Sequence, residues 1–162
     1  MVTVNDVSSA QFTQYITLAS GARTLAGGRA FIKMDDLIAY NLVISGTLNN
    51  LNDFITAERT SRYKGAKMKA QNENIVSIAI RQCMKGVSIN KPVFMEYLWV
   101  EPNKRRDLDN ISSFGRKVIQ DALVNSGILK DDGWKYIVGF SDRFKVDKKN
   151  PRIEVVIREV TL

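Results

Sequence analysis

From about residue 37 onward, apolar positions alternate between β-like runs and helical stripes. Residues 37–45 are short, apolar and β-branched, and Gly46 ends them, which predicts a first core strand. Thr47 is placed to cap a following helix whose buried stripe is Leu48, Leu51, Phe54 and Ile55. A second helix is expected from about 66 to 85, burying Ile75, Val76, Ala79, Ile80 and Cys83, with Gly86 as its stop. Residues 91–101 have the aromatic and β-branched content of a strand, with Pro92 at its entry where no ladder bond is needed. Asp109 or Asn110 then caps a helix with the stripe Ile111, Phe114, Val118, Ala122 and Leu123, closed by Gly127. Residues 134–144 and 152–160 read as two more strands, joined by a basic turn at 145–151. The second alternates, with Ile153, Val155 and Ile157 on one face, and is expected to close the sheet. Strand, two helices, strand, helix, two strands is an α+β domain with a small mixed sheet, spanning 38–162. Residues 1–37 read as an N-terminal helical appendage. Asp6 or Ser8 caps a stripe of Phe12, Tyr15, Ile16 and Ala19, and a breaker-rich stretch with Arg23 and Arg29 follows.

The chain has 162 residues, 44% of them apolar and 25% charged, which fits one globular domain with a real core. Its net charge of +7 and isoelectric point near 9.6 favour a polyanionic partner such as nucleic acid. Histidine is absent, which removes Ser-His-Asp and Cys-His nucleophiles, histidine zinc sites and imidazole acid-base chemistry. The one cysteine, Cys83, has no internal disulfide partner and reads as a small buried apolar residue. With no basic region leading into an apolar run at the start, and no run of membrane-spanning length, the expected location is cytoplasmic. Arg59, Arg62, Lys64, Lys67 and Lys69, with Tyr63 among them and only Glu58 against them, have the pattern of a phosphate-contacting surface. A solvated helix face has the same composition.

The chemistry concentrates in Lys104-Arg105-Arg106-Asp107-Leu108-Asp109-Asn110 and, one helix later, Leu129-Lys130-Asp131-Asp132-Gly133. Carboxylates spaced i, i+2 point the same way on an extended backbone. At about 5 Å and an effective dielectric near 20 they repel by roughly 3 kcal/mol, so a divalent cation or the neighbouring arginines must compensate them. A helix cap explains an acidic residue at 109 without any chemistry, and explains Asp107 poorly. An EF-hand is ruled out, because Ser112 and Val118 stand where it requires glycine and glutamate. The residues fit a magnesium-dependent phosphodiesterase, in which carboxylates hold the metal and a lysine assists.

Arg105-Arg106-Asp107-Leu108-Asp109-Asn110, then Asp121-Ala122-Leu123, then Gly127-Ile128-Leu129-Lys130-Asp131-Asp132, together resemble the RusA family of Holliday junction resolvases, most closely members carried by phages and prophages. The resemblance is firm over 104–136 and does not reach the appendage. It implies a homodimer that binds four-way DNA junctions and nicks two strands symmetrically, using Mg2+ (or Mn2+) with three aspartates and a lysine. The aspartates carry over as Asp107, Asp109 and Asp132. The lysine is where this chain departs. Counted forward from Asp-Leu-Asp-Asn, its position holds Ser113, and counted backward from Asp-Ala-Leu it holds Lys117. Four residues is about one helical turn, or roughly 6 Å along the axis, so an added turn preserves the facing of Lys117. Arg116 is a fallback able to stabilise charge but not to move a proton. Arg105 and Arg106 join the expected DNA-contacting set.

Two rival readings follow from the same residues. A non-catalytic branched-DNA binder would use the carboxylates only to balance Lys104, Arg105 and Arg106, and it has no use for a third carboxylate at Asp132. A nucleotide phosphotransferase lacks its Gly-rich phosphate loop here.

Overall fold

The computed structural model describes residues 38–160, and the sequence expectations for 1–37 lie outside it. Seven elements follow the expected order: β1 (Ala39–Ser45), α1 (Leu51–Thr60), α2 (Arg62–Cys83), β2 (Val93–Glu101), α3 (Leu108–Asn125), β3 (Ile137–Val146) and β4 (Arg152–Glu159). The four strands form one mixed sheet in the order β1-β4-β2-β3, and the α+β class is the fold observed. Among the described residues no helix is long and apolar enough to cross a membrane.

Chain order and sheet order differ at the last strand. β4 does not close the sheet. It lies between β1 and β2, antiparallel to both, with Val155 opposite Leu42 on one side and Tyr97 on the other. The reason is the crossover through α3, which returns the chain parallel to β2 and gives β3 that strand's outer edge. The inner edge is left for β4. Tyr97 and Trp99 stack at 5.5 Å on the helix-facing side of β2 and meet Val118, Ile119, Ala122 and Leu123 of α3 in the core. Burial of both faces of β2, an inner strand, explains its apolar content, which is broken within the strand only by Glu96, paired with Arg158 at 2.6 Å.

Several local expectations change. The cap of α1 is Asn50, not Thr47: its side chain accepts from the Asp53 N–H at 3.0 Å while Asp53 accepts from the Asn50 N–H at 3.1 Å, a reciprocal capping box. Leu48 is buried ahead of the helix rather than on it. α2 starts at Arg62, four residues early, because Ser61 alone separates the helices and accepts from the Lys64 N–H at 3.1 Å. The buried line of α2 runs through Asn72, Val76, Ala79 and Ile80, so Ile75 is exposed, and Cys83 is exposed with Met84 filling the core place beyond it. Asn72 earns its core position by accepting from the Asn49 N–H at 2.9 Å and donating to the Asn49 side chain at 2.9 Å, which ties the loop before α1 to α2. Trp134 lies in the turn before β3, not in the strand.

α3 is the element that carries the site. Its inner face is the predicted stripe, with Ile111, Phe114, Val118, Ala122 and Leu123 all buried. Gly115 lets it approach the sheet, since a Cβ there would stand 2.5 Å from the Trp99 ring. Arg116 fixes its rotation by pairing with Asp142 of β3, which also accepts from the Trp99 indole N–H at 2.8 Å. The helix ends at Gly127, whose φ of 72° lets the Ile128 N–H reach back to the Leu123 carbonyl at 2.9 Å. That bond turns the chain into the Asp131-Asp132 segment.

Candidate active site

At the N-terminus of α3, Arg106 folds the preceding loop onto the end of β2. Its guanidinium donates to both Glu101 carboxylate oxygens, at 2.6 and 3.0 Å, and to the Leu48 carbonyl at 2.7 Å. This bidentate pair with a largely buried glutamate holds the loop to the fold and leaves Lys104 and Arg105 as its exposed cations. Asp107 is therefore the N-cap, although its side chain makes no cap hydrogen bond, and Asp109 is in the first turn. Neither Asp109 nor Asn110 is the cap. The two aspartates are not on one extended strand as the i, i+2 argument assumed. They share the positive end of the helix dipole instead.

The partners of these two carboxylates are neutral. Asp107 accepts from the Asn110 amide at 3.2 Å, and Asp109 accepts from the Ser113 hydroxyl at 3.2 Å. Among the described residues neither makes an ion pair: Arg106 is engaged with Glu101, and Lys104 and Arg105 are exposed. Two exposed carboxylates thus stand uncompensated on a protein of net charge +7. Asp107 lines a cleft of about 630 Å³ with Lys104, Leu108, Phe144 and Lys145, so both cationic and apolar side chains face it.

Two turns further along α3, Lys117 is the centre of a second cluster. Its ammonium donates to Asp121 at 2.7 Å and to Asp132 at 2.8 Å. Lys69 of α2 reaches the other oxygen of Asp121 at 2.7 Å, an oxygen otherwise buried without a partner, and pairs with Glu73 at 3.3 Å. The hydrogen bonds to Asp121 and then Asp132 raise the Lys117 pKa above the ordinary lysine range. The bond from Lys117 likewise lowers that of Asp132. Bonding to Asp121 also raises Lys69. Lys117 is therefore a fixed ammonium at neutral pH, able to stabilise anionic charge and unable to act as a base.

Asp109, Ser113, Lys117 and Asp121 follow one another at i, i+4 along one stripe of α3, linked by the Asp109–Ser113 and Lys117–Asp121 contacts. Lys117 faces Asp132. The three aspartates do not form one cage: among the described residues no three His, Cys, Asp or Glu side chains stand close enough to share a metal ion. Asp107 lines one cleft while Asp132 lines another with Lys117 and Asp121. Asp109 and Lys117 are eight residues apart on α3, roughly 12 Å along the axis, which separates the two clefts.

Of the expected DNA-contacting residues, Arg59, Arg62, Lys64 and Lys67 are exposed around the Ser61 break, whereas Lys69 is drawn into the Asp121 pair. Asp121 itself received no role from the sequence. Its i, i+4 spacing from Lys117 was the available signal, and burial is what makes it matter.

Hard oxygen donors suit a small divalent cation. Mg2+ is commonly held by one or two carboxylates together with waters and substrate phosphate, a donor set that Asp107 and Asp109 could supply. Residues 49–158 match the family described as Endodeoxyribonuclease RusA. No curated protein matches the chain.

Proposed function

The chain belongs to the RusA endodeoxyribonuclease family, and from that premise we propose that it is a metal-dependent endonuclease resolving four-way DNA junctions by paired symmetric nicks. The observation that carries the metal dependence is the pair Asp107 and Asp109, exposed at the start of α3 and without an ion-pair partner among the described residues. A divalent cation there supplies Lewis-acid stabilisation of the phosphate and an activated water. Asp107 and Asp109 would hold that cation. Lys117, kept charged by Asp121 and Asp132, presents its ammonium from the same helix stripe toward developing negative charge. Exposed Lys104, Arg105, Arg59, Arg62, Lys64 and Lys67 bind the DNA backbone. Two symmetric nicks in one junction call for two such sites related by a two-fold axis, hence a homodimer.

The deciding experiment is incubation with a synthetic four-way junction, with Mg2+, with Mn2+ and with EDTA, read on a denaturing gel. Symmetric metal-dependent nicks are expected. Junction binding without nicks under every metal condition would make the protein a branched-DNA binder instead.

Asp131 and Asp132 separate the roles within the acidic turn. Asp131 is exposed and Asp132 holds Lys117, so Asp132→Asn is expected to reduce the single-turnover rate by about 100-fold, and Asp131→Asn by no more than about threefold. Equal losses in two folded variants would remove Asp132 from the mechanism.

The basic segment has its own measurement. Each phosphate contact removed lowers the slope of log affinity against log salt by about 0.9 on duplex arms. Arg62→Ala with Lys64→Ala should bind more weakly with a slope shallower by about 1.8. An unchanged slope returns this segment to a solvated helix face.

A further inference from the structure

We propose that Trp134 is a base-stacking residue that receives an exposed base at the branch point of the DNA, an inference that rests on the endonuclease reading above. Trp134 is 96% exposed, while the other tryptophan, Trp99, is 1% exposed. Indole is among the largest apolar groups a chain can present, and tryptophan is seldom left so open. Its backbone is held firmly. The Tyr136 and Ile137 N–H groups both donate to the Gly133 carbonyl, at 2.8 and 3.0 Å, and the Tyr136 carbonyl accepts from Val93 of β2 at 2.8 Å. Trp134 thus sits at the tip of a closed turn anchored to an inner strand.

The surroundings point to a polyanion carrying flat rings. Lys135 follows Trp134 directly, with its ammonium 5.6 Å from the Tyr136 ring, and Lys130 precedes the acidic pair. Both lysines are exposed. An accessible ring with a cation beside it, here Lys135, is how proteins engage unstacked nucleic acid, the ring taking the base face and the cation the backbone. The position also fits, because Asp132 lies two residues before Trp134 and holds Lys117. A base stacked on Trp134 would locate the strand exchange point relative to the cutting centre. Intact duplex offers no free base face within the stack, so this contact favours branched over linear DNA.

The test uses tryptophan emission from the full chain in EDTA, titrated with a four-way junction and with linear duplex of the same arm sequence, alongside gel shifts of both. Because Trp99 is buried and donates to Asp142 at 2.8 Å, DNA-dependent quenching reports on Trp134. Quenching that saturates with junction binding, and is absent at equal duplex occupancy, is expected. Trp134→Ala should weaken junction binding roughly tenfold and Trp134→Phe no more than about threefold, with duplex affinity and thermal midpoint unchanged. Junction binding without quenching, or with full affinity in Trp134→Ala, overturns the stacking role and leaves the endonuclease reading intact. Emission that changes with protein concentration in the absence of DNA also overturns it, by placing Trp134 against a second copy of the chain. Failure to bind branched DNA at all would overturn the endonuclease reading itself, and the stacking role with it.

Discussion

Asp107→Asn and Asp109→Asn should each lower junction cleavage by about three orders of magnitude or more, roughly 4 kcal/mol of barrier, while binding stays intact or tightens. An amide keeps the shape of the carboxylate and removes the charge that holds a cation. It also removes repulsion against phosphate and takes away no basic contact, hence the unchanged or tighter binding. Neither carboxylate is part of an ion pair that holds the fold, so the variants should unfold at the same temperature as the parent. Single-turnover cleavage in Mg2+, gel shifts in EDTA and a thermal melt test the three statements separately. Loss of binding together with cutting would mean that the pair supports the structure rather than the chemistry.

The second large effect is expected at Lys117. Lys117→Ala should cut the single-turnover rate by about 100-fold, near 3 kcal/mol, with junction affinity changed little. The ammonium lies between Asp121 and Asp132, so its net charge is partly balanced in the free protein. Removing it leaves two carboxylates facing each other where an anionic phosphate must approach, which raises the barrier beyond the loss of one favourable contact. The pH profile follows from the direction of the shifts. Lys117 is raised and Asp132 lowered, so the pair is formed throughout the neutral range and breaks only as pH falls through the depressed Asp132 value or rises through the elevated Lys117 value. Neither group should contribute an inflection to the rate between about pH 6 and 9. Ser113→Lys in the Lys117→Ala background is the control for register. Full activity of Lys117→Ala, with stimulation by Ser113→Lys, would show that the working position is one turn nearer Asp109 and that Lys117 serves only the Asp121 network.

The order of elements was legible because each depends on local pattern. The α3 stripe repeats at helical spacing, β4 alternates, and β2 is apolar apart from Glu96 and Glu101 because both its faces are covered. Gly86 and Gly127, both at positive φ, were readable as stops for the same local reason. The α2 face was legible at Val76, Ala79 and Ile80 but not at Ile75 or Cys83. Ile75 is as apolar as Val76, and only the demand of Asn49 for a buried amide turns Asn72 inward and Ile75 outward. Arg106 shows the same limit, since nothing in a basic tripeptide says which guanidinium will be drawn to Glu101.

The fold class, the family motifs and the absence of histidine chemistry were thus properties of the sequence alone, which left Ser113 and Lys117 as two registers for the lysine. These are properties of neighbours along the chain, where backbone geometry alone fixes who faces whom. The tertiary structure decided the charge pairing. β4 entered the sheet between β1 and β2, Arg106 went to Glu101 and left Asp107 and Asp109 uncompensated, and Lys117 joined Asp121 to Asp132. Such pairings depend on which side chains packing brings within a few ångströms and strips of water. Electrostatic energy varies with distance and burial, not with separation in sequence.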